Sequence, residues 1–244
     1  MTDPTAVTPQ DLDVISRQLG RPARDVVEVP ARCVCGNPLV AATAPRLSNG
    51  TPFPTTFYLT HPVVTSAVSR LEAAGVMNEM NDRLAADSEL AAAYRGAHEA
   101  YLAERRRVGE RAGTGTVPEI DGVSAGGMPE RVKCLHVLVG QSLAMGPGVN
   151  VLGDEAIERI AEWWTRDRCY CTGAWDTESP APSRDLSRHG PQGLPSMTGR
   201  PAPVRKRDAE RAGSERAGSG ETASEEAGSE GSVSGAGLTE GEGA

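Results

Sequence analysis

The chain reads as a helix-rich α+β domain with a small N-terminal antiparallel sheet, followed by a disordered C-terminal tail. Three observations carry this. Short runs rich in Val, Thr, Phe and Tyr fall before His61, apolar residues recur at helical spacing from Pro62 onward, and no aromatic residue follows Trp175.

Thr8-Pro9-Gln10-Asp11 has the form of a helix start, with Thr8 as cap and Pro9 at the first helical position. Leu12, Ile15 and Leu19 share one face of the helix this predicts over 9–19, and Gly20-Arg21-Pro22 ends it. Residues 25–30, 38–44 and 55–60 are expected strands, with Ser48-Asn49-Gly50-Thr51 as a turn between the last two. From Pro62 the spacing of Val64, Val68 and Leu71, and then of Val76, Met80 and Leu84, predicts two helices broken at Gly75. A long helix over about 88–110 turns Leu90, Tyr94, Ala97, Tyr101 and Leu102 inward and Glu104, Arg105, Arg106 and Arg107 outward, as a solvated basic end. A glycine-rich loop over 112–128 leads to a helix expected to start at Pro129 and to carry Cys134 and His136. The last helix is expected over 154–165, with Ile157, Ile160, Ala161 and Trp164 on its apolar face.

These elements make one domain over residues 1–175. Residues 176–244 are dominated by Gly, Ser, Ala, Glu, Pro and Arg, and repeat Glu-Arg-Ala-Gly-Ser at Glu210 and Glu215. They have too few large apolar residues to offset the entropy of ordering, so a disordered low-complexity tail is expected.

The formal charge of −8 is spread over both parts. A mildly acidic body lacks the basic footprint that general nucleic-acid binding needs, and no nucleic-acid partner is expected. The basic run Arg200, Arg205-Lys206-Arg207 and Arg211 reads as solvated. No apolar stretch has the length of a membrane span, and Met1-Thr2-Asp3-Pro4 opens no secretory signal, so the expected location is cytoplasmic. Disulfides are rare in that reducing compartment.

Four of the five cysteines form two Cys-x-Cys pairs, Cys33/Cys35 and Cys169/Cys171, and the fifth is Cys134. Thiolates and imidazoles converging from distant segments make a soft-ligand set, suited to zinc or an iron–sulfur cluster. Buried packing and redox roles are the competing readings. On a helix, Cys134 and His136 would lie about 200° apart, which leaves one of them, Cys134, as the candidate ligand. His61 joins as the best non-cysteine donor. The expected site is therefore one cysteine from each pair with His61 and Cys134, and zinc closed by four protein ligands would be structural.

The glycine-rich approach to Pro129 offers a second possibility, in which Gly126, Gly127, Arg131 and Lys133 hold a phosphate or carboxylate. That would suit an enzyme acting on a small anionic, phosphate-bearing substrate through Cys134/His136 or the loop. No phosphate-loop ending of the Gly-Lys-Ser/Thr type is present, and no catalytic pair is defined by spacing.

Cys33 to Pro38, Thr51 to Pro62, Val68-Ser69-Arg70-Leu71-Glu72, Gly126-Gly127 and Lys133-Cys134-Leu135-His136 together resemble the bacterial family named domain of unknown function 501, common in actinobacteria. The resemblance spans about residues 10–172. Members of that family often carry a cysteine where this chain has His61, and a Cys/His exchange suits a ligand position while speaking against an all-thiolate cluster. The resemblance implies no defined activity. Its gene neighbours imply a cell-division or phosphatase partner, and the tail would then serve as an adaptor segment.

Overall fold

Helix α1 (Pro9–Leu19) begins and ends where its sequence signals lie. The Thr8 hydroxyl accepts the Asp11 amide, the Asp11 carboxylate accepts the Thr8 amide, and Gly20 closes the helix at φ +63°. The computed structural model describes residues 3–171, so the expected domain end at 175 and the tail over 176–244 fall outside the described residues.

Strands β1 (Val26–Arg32), β2 (Pro38–Thr43) and β3 (Phe57–Leu59) form an antiparallel sheet in the order β1-β2-β3. Asn49 and Gly50 lie at the tip of the β2–β3 connection, where Gly50 takes φ +84° and its amide bonds the Leu47 carbonyl. The sheet is covered on both sides, which explains why every residue of β2 is buried. Val29 and Ala41 pack with Ile15 of α1, while Ala31, Val40, Ala42, Phe57 and Leu59 join the main core. Simple alternation would put Val29 and Ala31 on one face; the register shift between Glu28 and Ala31 separates them.

Helices α2 (Pro62–Ala73), α3 (Val76–Ala86) and α4 (Ser88–Arg111) follow, with the α2–α3 break at Gly75, φ +83°. Helices α5 (Leu135–Met145) and α6 (Val151–Arg159) complete the fold. Helix α5 is central: a Cβ at Gly140 would come within 3.1 Å of the Phe57 carbonyl on β3, and one at Gly153 of α6 would overlap the Leu138 carbonyl and Ser142 Oγ of α5. Its buried Gln141 donates to the Ala97 carbonyl at 2.7 Å and accepts from Asn150, the α6 cap, at 2.8 Å. The chain is thus an α+β domain of helices around a small antiparallel sheet. Among the described residues no helix is long and apolar enough to cross a membrane.

Three expectations are corrected. The helix expected from Pro129 starts at Leu135, because residues 121–133 are taken up by turns through Gly122, Gly126 and Gly127, all at positive φ. The arginines of α4 are not simply solvated: Arg105 is buried and donates to the carbonyls of Ile120 (2.7 Å) and Val123, while Arg107 reaches the buried Glu28 of β1 at 2.8 Å. Carbonyl acceptors replace water at Arg105, whereas Arg106 is exposed as expected and Arg107 stays partly solvated. The final helix leaves α geometry at Ile160, so Ile160 and Trp164 are buried but Ala161 is exposed.

Candidate metal centre

The β1–β2 connection is a tight turn whose sequence explains its shape. Cys33 donates its amide to the Asn37 carbonyl and accepts the Gly36 amide, both at 2.8 Å, and Gly36 adopts φ +93°. Pro38 then opens β2. Arg32 clamps the turn from outside, bonding the Gly36 carbonyl at 3.0 Å while holding both carboxylate oxygens of Asp11 at 2.6 and 3.0 Å. Helix α1 therefore holds the turn that presents Cys33 and Cys35.

Antiparallel pairing brings the end of β3 beside the start of β2, with Thr60 donating to the Leu39 carbonyl at 3.0 Å. His61, next in the chain and the cap residue of α2, is consequently placed at the same end of the sheet. The third contribution arrives from far along the chain. After α6, Trp164 is buried in the main core, and the Arg70 guanidinium of α2 lies 5.0 Å from the Trp163 ring centroid. This strap continues along the domain to Cys169 and Cys171.

The result is that the sulfur atoms of Cys33, Cys35, Cys169 and Cys171 all lie within 4.8 Å of one another. Cys33 and Cys171 are buried, and Cys35 and Cys169 are exposed. Four thiolates around a tetrahedral zinc, at bond lengths of about 2.3 Å, stand about 3.8 Å apart, so a small inward adjustment suffices. His61 is fully buried, and its Nε2 lies 3.1 Å from the Cys171 sulfur. It sits where a supporting imidazole would steady a ligand sulfur.

The electrostatics of this cluster follow from its packing. Burial raises the Cys171 thiol pKa strongly, and the neighbouring Cys35 and Cys33 raise it further; Cys35 is exposed as a residue, but partial desolvation of its sulfur against the cluster raises its thiol pKa as well. The Cys171 amide, 3.4 Å from the Cys169 sulfur, lowers the Cys169 pKa. Burial lowers the His61 pKa to about 4, which keeps the ring neutral at ordinary pH. A central cation supplies what four crowded thiolates need in order to ionise together.

The expected single site with one cysteine from each pair, His61 and Cys134 is not the arrangement observed. Both members of each pair converge, because a turn and an irregular strap let neighbouring Cys-x-Cys side chains face one centre. Cys134 lies elsewhere, with His136 and Glu72, whose donor atoms are within 4.8 Å of one another. Cys134 is the extended cap residue of α5 (φ −156°, ψ 112°) and not part of the helix, so the 200° separation of two helical positions does not apply to it. Its sulfur lies 3.9 Å from His136 Nδ1. Glu72, which the sequence marks only as part of the Val68–Glu72 motif, joins them: its Oε1 accepts the Leu135 amide at 2.8 Å and lies 3.1 Å from His136 Nδ1. Burial alone would lower the His136 pKa, but the hydrogen bond to Cys134 and the charge of Glu72 outweigh it and raise the value to about 9.

The loop expected to hold an anion is arranged differently from the expectation. Gly126 and Gly127 accept the Lys133 and Arg131 amides through their carbonyls, at 2.7 and 3.2 Å, and the helix N-terminus at Leu135 is met by the Glu72 carboxylate. Of the other ionisable groups, His98 lies 2.9 Å from Ser124 Oγ, and Glu119 pairs with Arg46 at 2.7 Å.

No curated protein and no solved structure matches this chain. A family match covers residues 29–158, a span that contains Cys33, Cys35, His61, Glu72, Cys134 and His136 but stops short of Cys169 and Cys171. By that match, which takes in more than half of its length, the chain belongs to the family described as protein of unknown function (DUF501).

Proposed function

We infer that the chain is a metal-stapled binding module in which Cys33, Cys35, Cys169 and Cys171 hold one structural zinc ion. The observation that carries this is the convergence of four sulfur donors from two segments far apart in sequence. Four soft donors in a tight group suit a single tetrahedral ion, and a closed thiolate site leaves no position for substrate, which makes the ion structural. Its place supports that role: it ties the β1–β2 turn to the strap after α6, joining the start of the fold to its end. An iron ion in the same four sulfurs is the competing occupant.

Metal analysis of the full chain, purified anaerobically, tests this. Cys33→Ser and Cys171→Ser are expected each to lose one zinc equivalent that the wild-type chain retains, with no absorbance near 400 nm in the wild type or in either variant. Absorbance there together with stoichiometric iron would replace zinc by iron. Unchanged metal content in both variants would remove the reading.

A further inference from the structure

We propose that Glu72, Cys134 and His136 form a second metal site, separate from the four-cysteine centre, with one coordination position left open to solvent. The three donor atoms lie within 4.8 Å of one another, with Glu72 Oε1 3.1 Å and Cys134 Sγ 3.9 Å from His136 Nδ1. A tetrahedral ion with oxygen and nitrogen bonds of about 2.0–2.1 Å and a sulfur bond of about 2.3 Å sets oxygen–nitrogen and sulfur–nitrogen edges of about 3.4 and 3.6 Å. The observed separations of 3.1 and 3.9 Å each lie about 0.3 Å from those values.

The surroundings of the imidazole point the same way. His136 Nε2 lies 3.1 Å from the Thr65 carbonyl and 3.3 Å from Ser69 Oγ, both on α2. A carbonyl only accepts, so Nε2 carries a hydrogen; Nδ1 faces Cys134 and Glu72, and an ion bound there takes the place of the proton that the carboxylate would otherwise hold on Nδ1. Metal-binding histidines are commonly held in this way, with one nitrogen donating to a carbonyl and the other turned to the ion.

Cys134 provides an independent observation. It occupies the cap position of α5, where Ser, Thr, Asp or Asn would ordinarily bond the first turn, yet its side chain makes no capping bond. Glu72, from another helix, meets the Leu135 amide instead. The sulfur is thereby turned toward His136 and not toward the helix it precedes.

Access and separation define the ligand class. The side chains of His136 and Glu72 are 23% and 24% exposed, so a hydrated ion can enter and keep a water or a small anionic ligand at its fourth position. Mixed N, O and S donors suit zinc or cobalt(II) over magnesium or calcium. His61, the cap residue of α2, lies beside the four-cysteine group, and Glu72 stands eleven residues later, about 16 Å along the helix axis, so the two centres do not share an ion.

Cobalt(II) and zinc titration of the full chain under reducing conditions tests the site. Wild type is expected to take two equivalents, of which a chelator removes one readily. Glu72→Gln, which keeps an acceptor for the Leu135 amide, and Cys134→Ser are each expected to lose that labile equivalent. Both should retain the intense sulfur-to-cobalt absorption of the four-cysteine centre. His136→Asn provides a third variant should either unfold. A single equivalent in wild type that only the Cys33 and Cys171 variants remove would overturn the second site while leaving the first intact. Loss of the labile equivalent alone, with the first equivalent absent throughout, would do the reverse.

Discussion

Cys35→Ser separates a ligand from a bystander, because Cys35 is exposed. An exposed cysteine without a metal role should accept serine within about 0.5 kcal/mol. As a ligand, Cys35 helps close a ring that runs through the ion to Cys169, about 135 residues long. In the chain-entropy treatment, a cross-link over such a ring stabilises the fold by about 5 kcal/mol at 25 °C. If the ion instead leaves on unfolding, mass action with free zinc a thousandfold above Kd supplies about 4 kcal/mol. Each kcal/mol moves the Tm of a domain this size by about 2–4 °C, so both routes predict a fall of about 10–20 °C. The assay is thermal unfolding of the full chain followed by circular dichroism under reducing conditions, for wild type with and without a zinc chelator and for Cys35→Ser. Curves for all three that agree within about 2 °C would show that neither zinc nor the Cys35 sulfur stabilises the fold.

The supporting residues make further predictions. His61→Ala should weaken zinc binding at the four-cysteine centre about 10–100-fold in competition with a chromophoric chelator, as loss of a supporting group does; unchanged affinity would make the imidazole a packing residue only. Trp164→Ala removes the buried anchor of the strap and should cost about 3–5 kcal/mol in denaturant unfolding, whereas a cost below about 1 kcal/mol would show that the strap is held without it. Asp11→Asn should cost about 1.5–3 kcal/mol, because it weakens both the helix cap and the Arg32 clamp. Burial would raise the Asp11 pKa, but Arg32 and the Thr8 amide outweigh it and hold the group below its ordinary 3.8. Its contribution is therefore complete above the unfolded value of about 3.9 and disappears as pH falls through the folded value. Acid-unfolding curves of wild type and Asp11→Asn should converge below that range; curves that stay parallel would contradict the assignment.

The fold was legible where local signals act alone. Thr8, Pro9, Asp11 and Gly20 define α1 within a few residues, and the change of period at Pro62 marks the passage from sheet to helix. It was less legible where distant groups decide. Pro129 resembles a helix start, yet the turns through Gly126 and Gly127 postpone α5 to Leu135, and this moves Cys134 from a helix face to an extended cap. The two Cys-x-Cys pairs could be recognised as soft-donor clusters. Their convergence on each other depends on β3 and the strap, which no spacing encodes. Glu72 stands in the Val68–Glu72 motif that carries the family resemblance, but its spacing gives it no role, because its partners, Leu135 and His136, lie more than sixty positions away in the chain.

X-ray absorption at the zinc edge reads the donor atoms of the four-cysteine centre itself, on Glu72→Gln protein so that only that centre contributes. The expected spectrum has a single shell of four sulfurs at about 2.3 Å. A shell dominated by nitrogen and oxygen at about 2.0–2.1 Å, or no retained zinc, would contradict it.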